Sequence, residues 1–213
     1  MGIFRMGPFS GYKNLVGNLV GTSWRGLDIV KGRPRISGKA KTQAQLDQQA
    51  KFRLVTQALA PLSPTINLGF KSFDKTSTQM NAAVRYNLEH GVIGASPNFT
   101  FDYTKLQFSY GTLLDGNDTA INTIPGSKMR FFWPTLGLPD ESLTDKATVV
   151  VYAPAIDRWA KLENAAYRTA GEFTLQMTAA FMGQEVMCFI CFISSKNPSK
   201  ASMTNYLGTI EAQ

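Results

Sequence analysis

Residues 172–194 read E-F-T-L-Q-M-T-A-A-F-M-G-Q-E-V-M-C-F-I-C-F-I-S and contain two candidate β-strands with different hydrophobic patterns. Over 172–180, apolar side chains alternate with Glu, Thr and Gln, which is typical of a strand with one buried face. Over 186–193, within the candidate strand 185–194, both sets of alternate positions are apolar. Because an antiparallel sandwich on its own leaves its outer sheet faces in water, the second pattern predicts a sheet that is covered on both sides.

Strand patterns on either side of this stretch predict an antiparallel β-sandwich over residues 99–213. Apolar residues recur with a period of two from about residue 99, whereas the spacing before that point is helical. The seven candidate strands are 98–110, 128–133, 147–153, 161–167, 172–180, 185–194 and 202–210. Short strands separated by turn residues in this number are typical of a sandwich, and their order is similar to fibronectin-type-III and immunoglobulin-like modules.

The strand over 147–153 is almost as apolar on both faces as the strand over 185–194. In a fibronectin-like order these two strands are neighbours, so one whole sheet face needs a cover. The sequence allows two alternatives for what covers this sheet face. Either the N-terminal part of the same chain lies over the sheet, or another subunit does.

Two helices are predicted before the strands. Apolar residues at near-helical spacing over 42–59 end at a proline, and a second apolar stripe over 76–90 ends at a glycine suited to a C-cap. Pro61 and Pro64 predict an extended link between the two helices. The expected class is therefore α+β, mainly β, with a basic N-terminal arm and two helices over 1–98 and a sandwich domain over 99–213.

The N-terminal arm is rich in glycine and apolar residues. Eight of the 18 glycines lie within the first forty residues, which excludes a stable helix and weakens any strand. The same segment is too apolar for a disordered tail. We therefore expect an extended arm that lays its side chains on its own chain or on a neighbouring copy. The candidate anchors are Phe4, Phe9, Tyr12 and Trp24.

The positive charge of the chain is concentrated in its first part. Residues 1–90 contain thirteen Lys/Arg and four Asp/Glu, whereas residues 91–213 contain nine and eleven. Such a basic segment is either a solvated face or the footprint of an anionic partner. Cations beside an aromatic ring suit single-stranded nucleic acid. The candidate contacts near Trp24 are Arg25, Lys31, Arg33, Arg35, Lys39 and Lys41.

Motifs for catalysis, cofactors and metals are weak in this sequence. The C-x-x-C at Cys188 and Cys191 lies in a strand, where residues three apart point to opposite faces, so we expect two buried core thiols. The segment 32–40, G-R-P-R-I-S-G-K-A, has one residue too many between its glycines for a phosphate-binding loop, and Ala follows its lysine. His90 at a helix end is expected to be a cap. We predict no catalytic residue, cofactor or metal, and we expect that the protein is not an enzyme.

Several segments together resemble a known family. They are L-V-G-N-L-V-G-T-S-W-R-G near the start, K-F-R-L-V, M-N-A-A-V-R-Y-N-L, D-Y-T-K-L-Q-F-S-Y-G-T-L and the terminal N-Y-L-G. The family consists of uncharacterised proteins of Bacteroidetes bacteria and is known only as a domain of unknown function. The resemblance covers nearly the whole chain and implies a bacterial protein made in the cytoplasm. It implies no catalytic residues.

The sequence therefore favours a structural role over chemistry. We expect a homo-oligomeric or polymeric subunit that assembles into a filament, tube or shell through its N-terminal arm and an apolar sheet face. The alternative is a protein that binds or packages nucleic acid through its basic half. No apolar stretch is long enough to span a membrane, and Arg5 is not followed by the apolar core of a signal peptide. We expect cytoplasmic synthesis, with the final location left open.

Overall fold

The fold is given by a computed structural model of the chain, which describes residues 2–4, 11–24, 26–35, 38–73, 77–116, 118–140 and 142–213. The chain divides into two compact units, Met1–Thr42 and Gln43–Gln213. The boundary expected between residues 98 and 99 lies inside the second unit, because the helices and one face of the sandwich share a hydrophobic core.

The first unit is a small antiparallel sheet instead of the extended arm that we expected. Its four strands are β1 (Gly2–Phe4), β2 (Asn14–Val16), β3 (Leu19–Trp24) and β4 (Leu27–Gly32), in the order β1-β4-β3-β2. The glycines that argued against strands lie partly at the turns between them. Gly17 and Gly26 connect successive strands with φ angles of 57° and 78°. Glycine adopts such angles without a steric penalty, so these glycines permit short hairpins.

Three helices begin the second unit. They are α1 (Gln43–Leu59), α2 (Ser63–Gly69) and α3 (Gln79–His90). The first and third confirm the helices predicted over 42–59 and 76–90. The extended link between them was a wrong prediction, because a 3-10 turn over Ala60–Leu62 leads directly into α2. Pro61 is the second residue of the 3-10 turn and Pro64 is the second residue of α2. In the first turn of a helix a missing N–H breaks no helical hydrogen bond.

A β-hairpin and a two-sheet sandwich complete the second unit. The strands are β5 (Val92–Ala95), β6 (Asn98–Phe101), β7 (Ala120–Ile124), β8 (Lys128–Phe132), β9 (Lys146–Ala153), β10 (Arg158–Tyr167), β11 (Glu172–Gln176), β12 (Glu185–Ile193) and β13 (Asn205–Glu211). The hairpin pairs β5 with β6, and the sandwich has one sheet in the order β10-β9-β12-β13 and one in the order β11-β8-β7. Every strand pair is antiparallel. The predicted α+β, mainly β class is confirmed.

The central strands β9 and β12 are buried on both faces, as their sequences predicted. One face, with Val151 and Ile190, packs against β8 and β11 in the sandwich core. The other face, with Val150 and Phe189, packs against the three helices. The helices of the same chain therefore supply the expected cover. The apolar sheet face that we expected to serve self-assembly is buried inside the second unit.

The first predicted sandwich strand, over 98–110, forms only in part. Strand β6 ends at Phe101, a 3-10 turn follows over Tyr103–Lys105, and the chain then runs on without a strand partner. Side chains replace the hydrogen bonds that a neighbouring strand would make. The Asn87 side-chain amide donates to the Gln107 carbonyl at 2.7 Å and accepts from the Gln107 N–H at 3.0 Å. The Thr204 hydroxyl accepts from the N–H groups of two further residues of this segment. Strand β7, which the sequence analysis missed, completes the sandwich instead.

Candidate functional site

The sheet of the first unit exposes large apolar side chains. They are Ile3, Leu15, Val16, Leu19 and Trp24, of which Val16 is 61% and Trp24 47% exposed. Leu15 and Val16 are consecutive in β2 and so point to opposite faces of the sheet. Among the residues that the structure describes, every buried apolar side chain of the hydrophobic core lies in the second unit. The described part of the first unit is therefore a sheet without a buried apolar core.

The four expected anchors fall in different environments. Phe4 lies in β1, but its side chain is outside the described part of the structure, as is the whole of Phe9. Tyr12 is half-buried over Gly21, where a Cβ would overlap its ring, and its hydroxyl donates to the Leu19 carbonyl at 3.3 Å. Tyr12 is thus partly used within its own unit. Trp24 is about half exposed, at 47%.

The expected nucleic-acid contacts lie along one short stretch. Lys31 is in β4, and Arg33, Arg35, Lys39 and Lys41 follow it as exposed residues outside any helix or strand. Arg25 lies outside the described residues. The first unit contains eight Lys/Arg and one Asp, so it accounts for the whole net charge of +7, whereas the second unit contains 14 of each sign. The charge is thus concentrated in the first unit.

The residues that raised the question of redox or metal chemistry are placed for packing. Cys188 belongs to the sandwich core and Cys191 to the helix core, on opposite faces of β12, and both are free thiols. Burial raises the pKa of each thiol to about 12, so neither is nucleophilic at neutral pH. The His90 ring stacks on Tyr86 and its Nδ1 lies 2.9 Å from the Tyr86 carbonyl at the end of α3. Within the described ranges, no three His, Cys, Asp or Glu side chains form a metal-binding group.

A buried charged pair at one end of the sandwich is also structural. Arg168 is almost fully buried and donates to the carbonyls of Leu114 and Asp115 at 2.9 and 3.1 Å. Its guanidinium lies 4.0 Å from the Phe192 ring centre. Burial raises the pKa of nearby Asp145, and the Arg168 charge opposes that shift. The guanidinium ties the 114–115 loop to the sandwich core.

A groove in the second unit has the composition of a binding site, and we call it the Trp159 groove. It has a volume of about 530 Å³ and lies between the end of α1 and the turn that joins β9 to β10. Its lining residues are Leu54, Gln57, Ala58, Pro61, Tyr103, Tyr152, Pro154, Asp157 and Trp159. Three of the nine are aromatic and one is charged.

The aromatic rings of the Trp159 groove form a continuous wall. Tyr152 is stacked on Trp159 with ring centres 4.1 Å apart and planes 23° apart. On its other side, Tyr152 meets Tyr103 at 4.5 Å with planes 35° apart. Tyr103 and Trp159 are inclined by 56° to each other at 6.2 Å. Measured against the plane of Trp159, the tilt therefore increases from 23° at Tyr152 to 56° at Tyr103. The two outer rings, Tyr103 and Trp159, are only half-buried.

Asp157 is the charged group of the groove, and its backbone conformation is unusual. It follows a 3-10 turn over Pro154–Ile156 and has a left-handed φ of 48°. Asp and Asn tolerate this region better than most residues, because their short polar side chains bond locally. The Tyr152 hydroxyl donates to Asp157 Oδ1 at 3.1 Å. This bond fixes one carboxylate oxygen on an otherwise exposed side chain.

A second cavity adjoins the Trp159 groove along the outer edge of β10. The two share Pro61, Asp157 and Trp159, and the second contains the cations Arg158 and Lys161. Lys161 Nζ donates to the Pro61 carbonyl at 2.6 Å and so closes the boundary between helix and strand. Asp157 thus lines both cavities, whereas Arg158 and Lys161 line only the second.

Sequence analysis did not find the Trp159 groove, because its residues come from three distant segments. None of them forms a local motif. A visible signal was the turn A-P-A-I-D-R-W at 153–159, with a proline, an acid and a tryptophan between two strands.

The described helices include none that is both long and apolar enough to cross a membrane. A family model described as a family of unknown function (DUF6266) matches residues 11–208. The chain belongs to this family. Membership agrees with the resemblance to a domain of unknown function, and the match spans both units. No curated protein matches this family member.

Proposed function

We propose that the protein is a non-enzymatic structural subunit that assembles into a filament, tube or shell through the sheet of its first unit. The observation that carries this proposal is the sheet without a core, which exposes large apolar side chains on both faces. Apolar surface of this kind marks an interaction site in most proteins. The outer strands β1 and β2 also leave backbone N–H and C=O groups open to pairing.

The strength of one such contact favours repeated contacts over a single dimer. A large apolar side chain contributes about 1.5–3 kcal/mol when fully buried, so five half-exposed ones offer about 4–8 kcal/mol. Association costs about 4–15 kcal/mol in lost freedom. One contact is then weak, whereas a lattice in which each copy makes several contacts gains through multivalency. This balance supports a polymer.

The sandwich suits the body of such a subunit. We propose that it is fibronectin-type-III-like. An immunoglobulin constant domain places its fourth strand beside the fifth, in the sheet of the first two strands. Here the fourth strand, β10, pairs with the third, β9, and the remaining order is the same. An origin in Bacteroidetes bacteria is a further expectation from the resemblance.

The proposal is tested by replacing three exposed residues of the sheet, Leu15, Val16 and Leu19, with Thr. Threonine keeps a high strand propensity and removes apolar surface, so the sheet should persist. Wild type should form species larger than a monomer at high concentration by light scattering, and the triple variant should stay monomeric. The matched control is Leu136→Thr, because Leu136 is 93% exposed in the second unit. Equal association of triple variant and control would refute the proposal, as would a monomeric wild type under negative-stain microscopy.

Nucleic-acid binding is the second candidate, and the charge of the first unit favours it. The full net charge of +7 lies in about forty residues, which is enough to attract phosphates. Replacing Arg33, Arg35, Lys39 and Lys41 with Gln would abolish such binding and flatten its salt dependence. We expect wild type itself to show no salt-sensitive retention on single- or double-stranded nucleic acid. Retention that depends on these four residues would favour the second candidate.

A further inference from the structure

The Trp159 groove combines an aromatic wall with a single negative charge. Three of its lining residues are aromatic, and Asp157 is the one charged residue among the nine. The half-buried rings of Tyr103 and Trp159 leave aromatic surface open, and Asp157 is exposed beside them. A ligand for this site needs a flat or ring-shaped apolar group and a positive charge close to it.

Arginine next to proline meets both requirements. Arginine stacks on aromatic rings and also forms paired hydrogen bonds with a carboxylate, which lysine cannot do. Proline-containing extended segments dock in aromatic-lined grooves, because their backbone is already fixed and loses little entropy. A lone carboxylate beside such a wall therefore selects a basic, proline-containing peptide over a neutral one.

The chain itself contains one segment with this chemistry. Pro34 is the only one of the ten prolines with a basic residue on each side, Arg33 and Arg35. All three residues are exposed and lie outside any helix or strand. The two arginines of the segment are opposite in charge to Asp157, the one charged residue among those that line the groove.

We propose that the Trp159 groove binds the Arg33–Pro34–Arg35 segment of a second copy of this chain. The inference rests on the proposed self-assembly and names a second contact for it. When the second copy does not return the contact, it is head-to-tail and generates rings or filaments, whereas a mutual exchange of segments closes a two-fold dimer. Such a contact gives the assembly a direction that the apolar sheet alone does not supply.

The experiment measures binding of a labelled peptide of residues 31–39, K-G-R-P-R-I-S-G-K, by fluorescence anisotropy. The acceptor is the full chain carrying Arg33→Gln and Arg35→Gln, so that its own segment does not compete. We expect saturable binding that falls at least tenfold with Asp157→Asn, since a charged hydrogen-bonded pair is lost. Asn tolerates the left-handed backbone of position 157, so this variant should fold. Asp140→Asn is the matched control, because it removes the same charge from an exposed turn outside the groove.

Light scattering on the full chain then separates this contact from the sheet contact. Asp157→Asn and the Arg33→Gln/Arg35→Gln variant should each reduce the size of the wild-type assembly, while the sheet still associates. Absence of peptide binding, or equal binding to the Asp157→Asn and Asp140→Asn acceptors, would overturn the groove assignment and leave the sheet proposal standing. Peptide binding with a monomeric wild type would mean that the segment occupies the groove of its own chain, which overturns the second-copy contact.

Discussion

The substitution Phe189→Ala tests whether the helices of the same chain hold the second face of the sandwich sheet. Phe189 is fully buried, and its ring centre lies 6.2 Å from Phe108 and 5.4 Å from Tyr206. Removal of the ring deletes these contacts and leaves a cavity, at a cost of about 3–5 kcal/mol. For a chain of this length, each kcal/mol lowers Tm by about 2–4 °C, so Tm should fall by roughly 6–20 °C.

Thermal and urea unfolding followed by far-ultraviolet circular dichroism would measure this change at a low and a high protein concentration. The matched control is Phe52→Ala on α1, because Phe52 is 52% exposed and its loss should change stability by less than about 0.5 kcal/mol. Two results would refute our account of the core. One is a loss for Phe189→Ala no larger than that of the control. The other is a Tm that rises with wild-type concentration and stops doing so in Phe189→Ala, since stability supplied by a partner follows mass action.

Three further predictions concern the interior of the second unit. Burial raises the pKa of both cysteine thiols to about 12, so these thiols ionise in the unfolded chain at a lower pH than in the folded protein. The stability that they contribute should therefore be full below about pH 9 and lost as the pH rises through 12. In urea titrations, a variant with both cysteines replaced by Ala should lose less stability than wild type over that range. Arg168→Met should cost about 3–5 kcal/mol in urea unfolding, because it removes a positive charge from beside buried Asp145 and the donors to the Leu114 and Asp115 carbonyls, and a loss below 1 kcal/mol would contradict this. Gly69→Ala should lower Tm by several degrees in calorimetry, because its Cβ would lie 2.6 Å from the Phe108 carbonyl, whereas Gly38→Ala meets nothing and should leave Tm unchanged.

The parts of the fold that the sequence predicted correctly are those with a strong period. The two-sided apolar pattern over 186–193 identified a doubly covered strand, because burial on both faces leaves no polar position in that run. Helices α1 and α3 followed from their apolar stripes. The prolines between them misled the prediction, since proline also fits the first turn of a helix. The alternation over 98–110 misled it too, because amide and hydroxyl side chains, those of Asn87 and Thr204, satisfy this backbone instead of a neighbouring strand.

Glycine frequency was the hardest signal to interpret in the first unit. Averaged over forty residues it argues against regular structure, yet position by position it marks turns, as at Gly17 and Gly26. The Trp159 groove was beyond sequence analysis for a different reason. Its wall brings together Tyr103, from the 3-10 turn after β6, and Tyr152 and Trp159, from the β9–β10 hairpin. Long-range packing creates such a site, and no local spacing encodes it.

The position of the two cysteines on β12 provides a built-in pair of chemical reporters. Cys188 and Cys191 belong to the same strand, but each is shielded by a different layer of the molecule. An alkylating reagent reaches Cys191 when the helices lift from the sheet, and it reaches Cys188 when the two sheets part. The ratio of the two modification rates, read by mass spectrometry, therefore reports which layer opens first and how far the two openings are independent events.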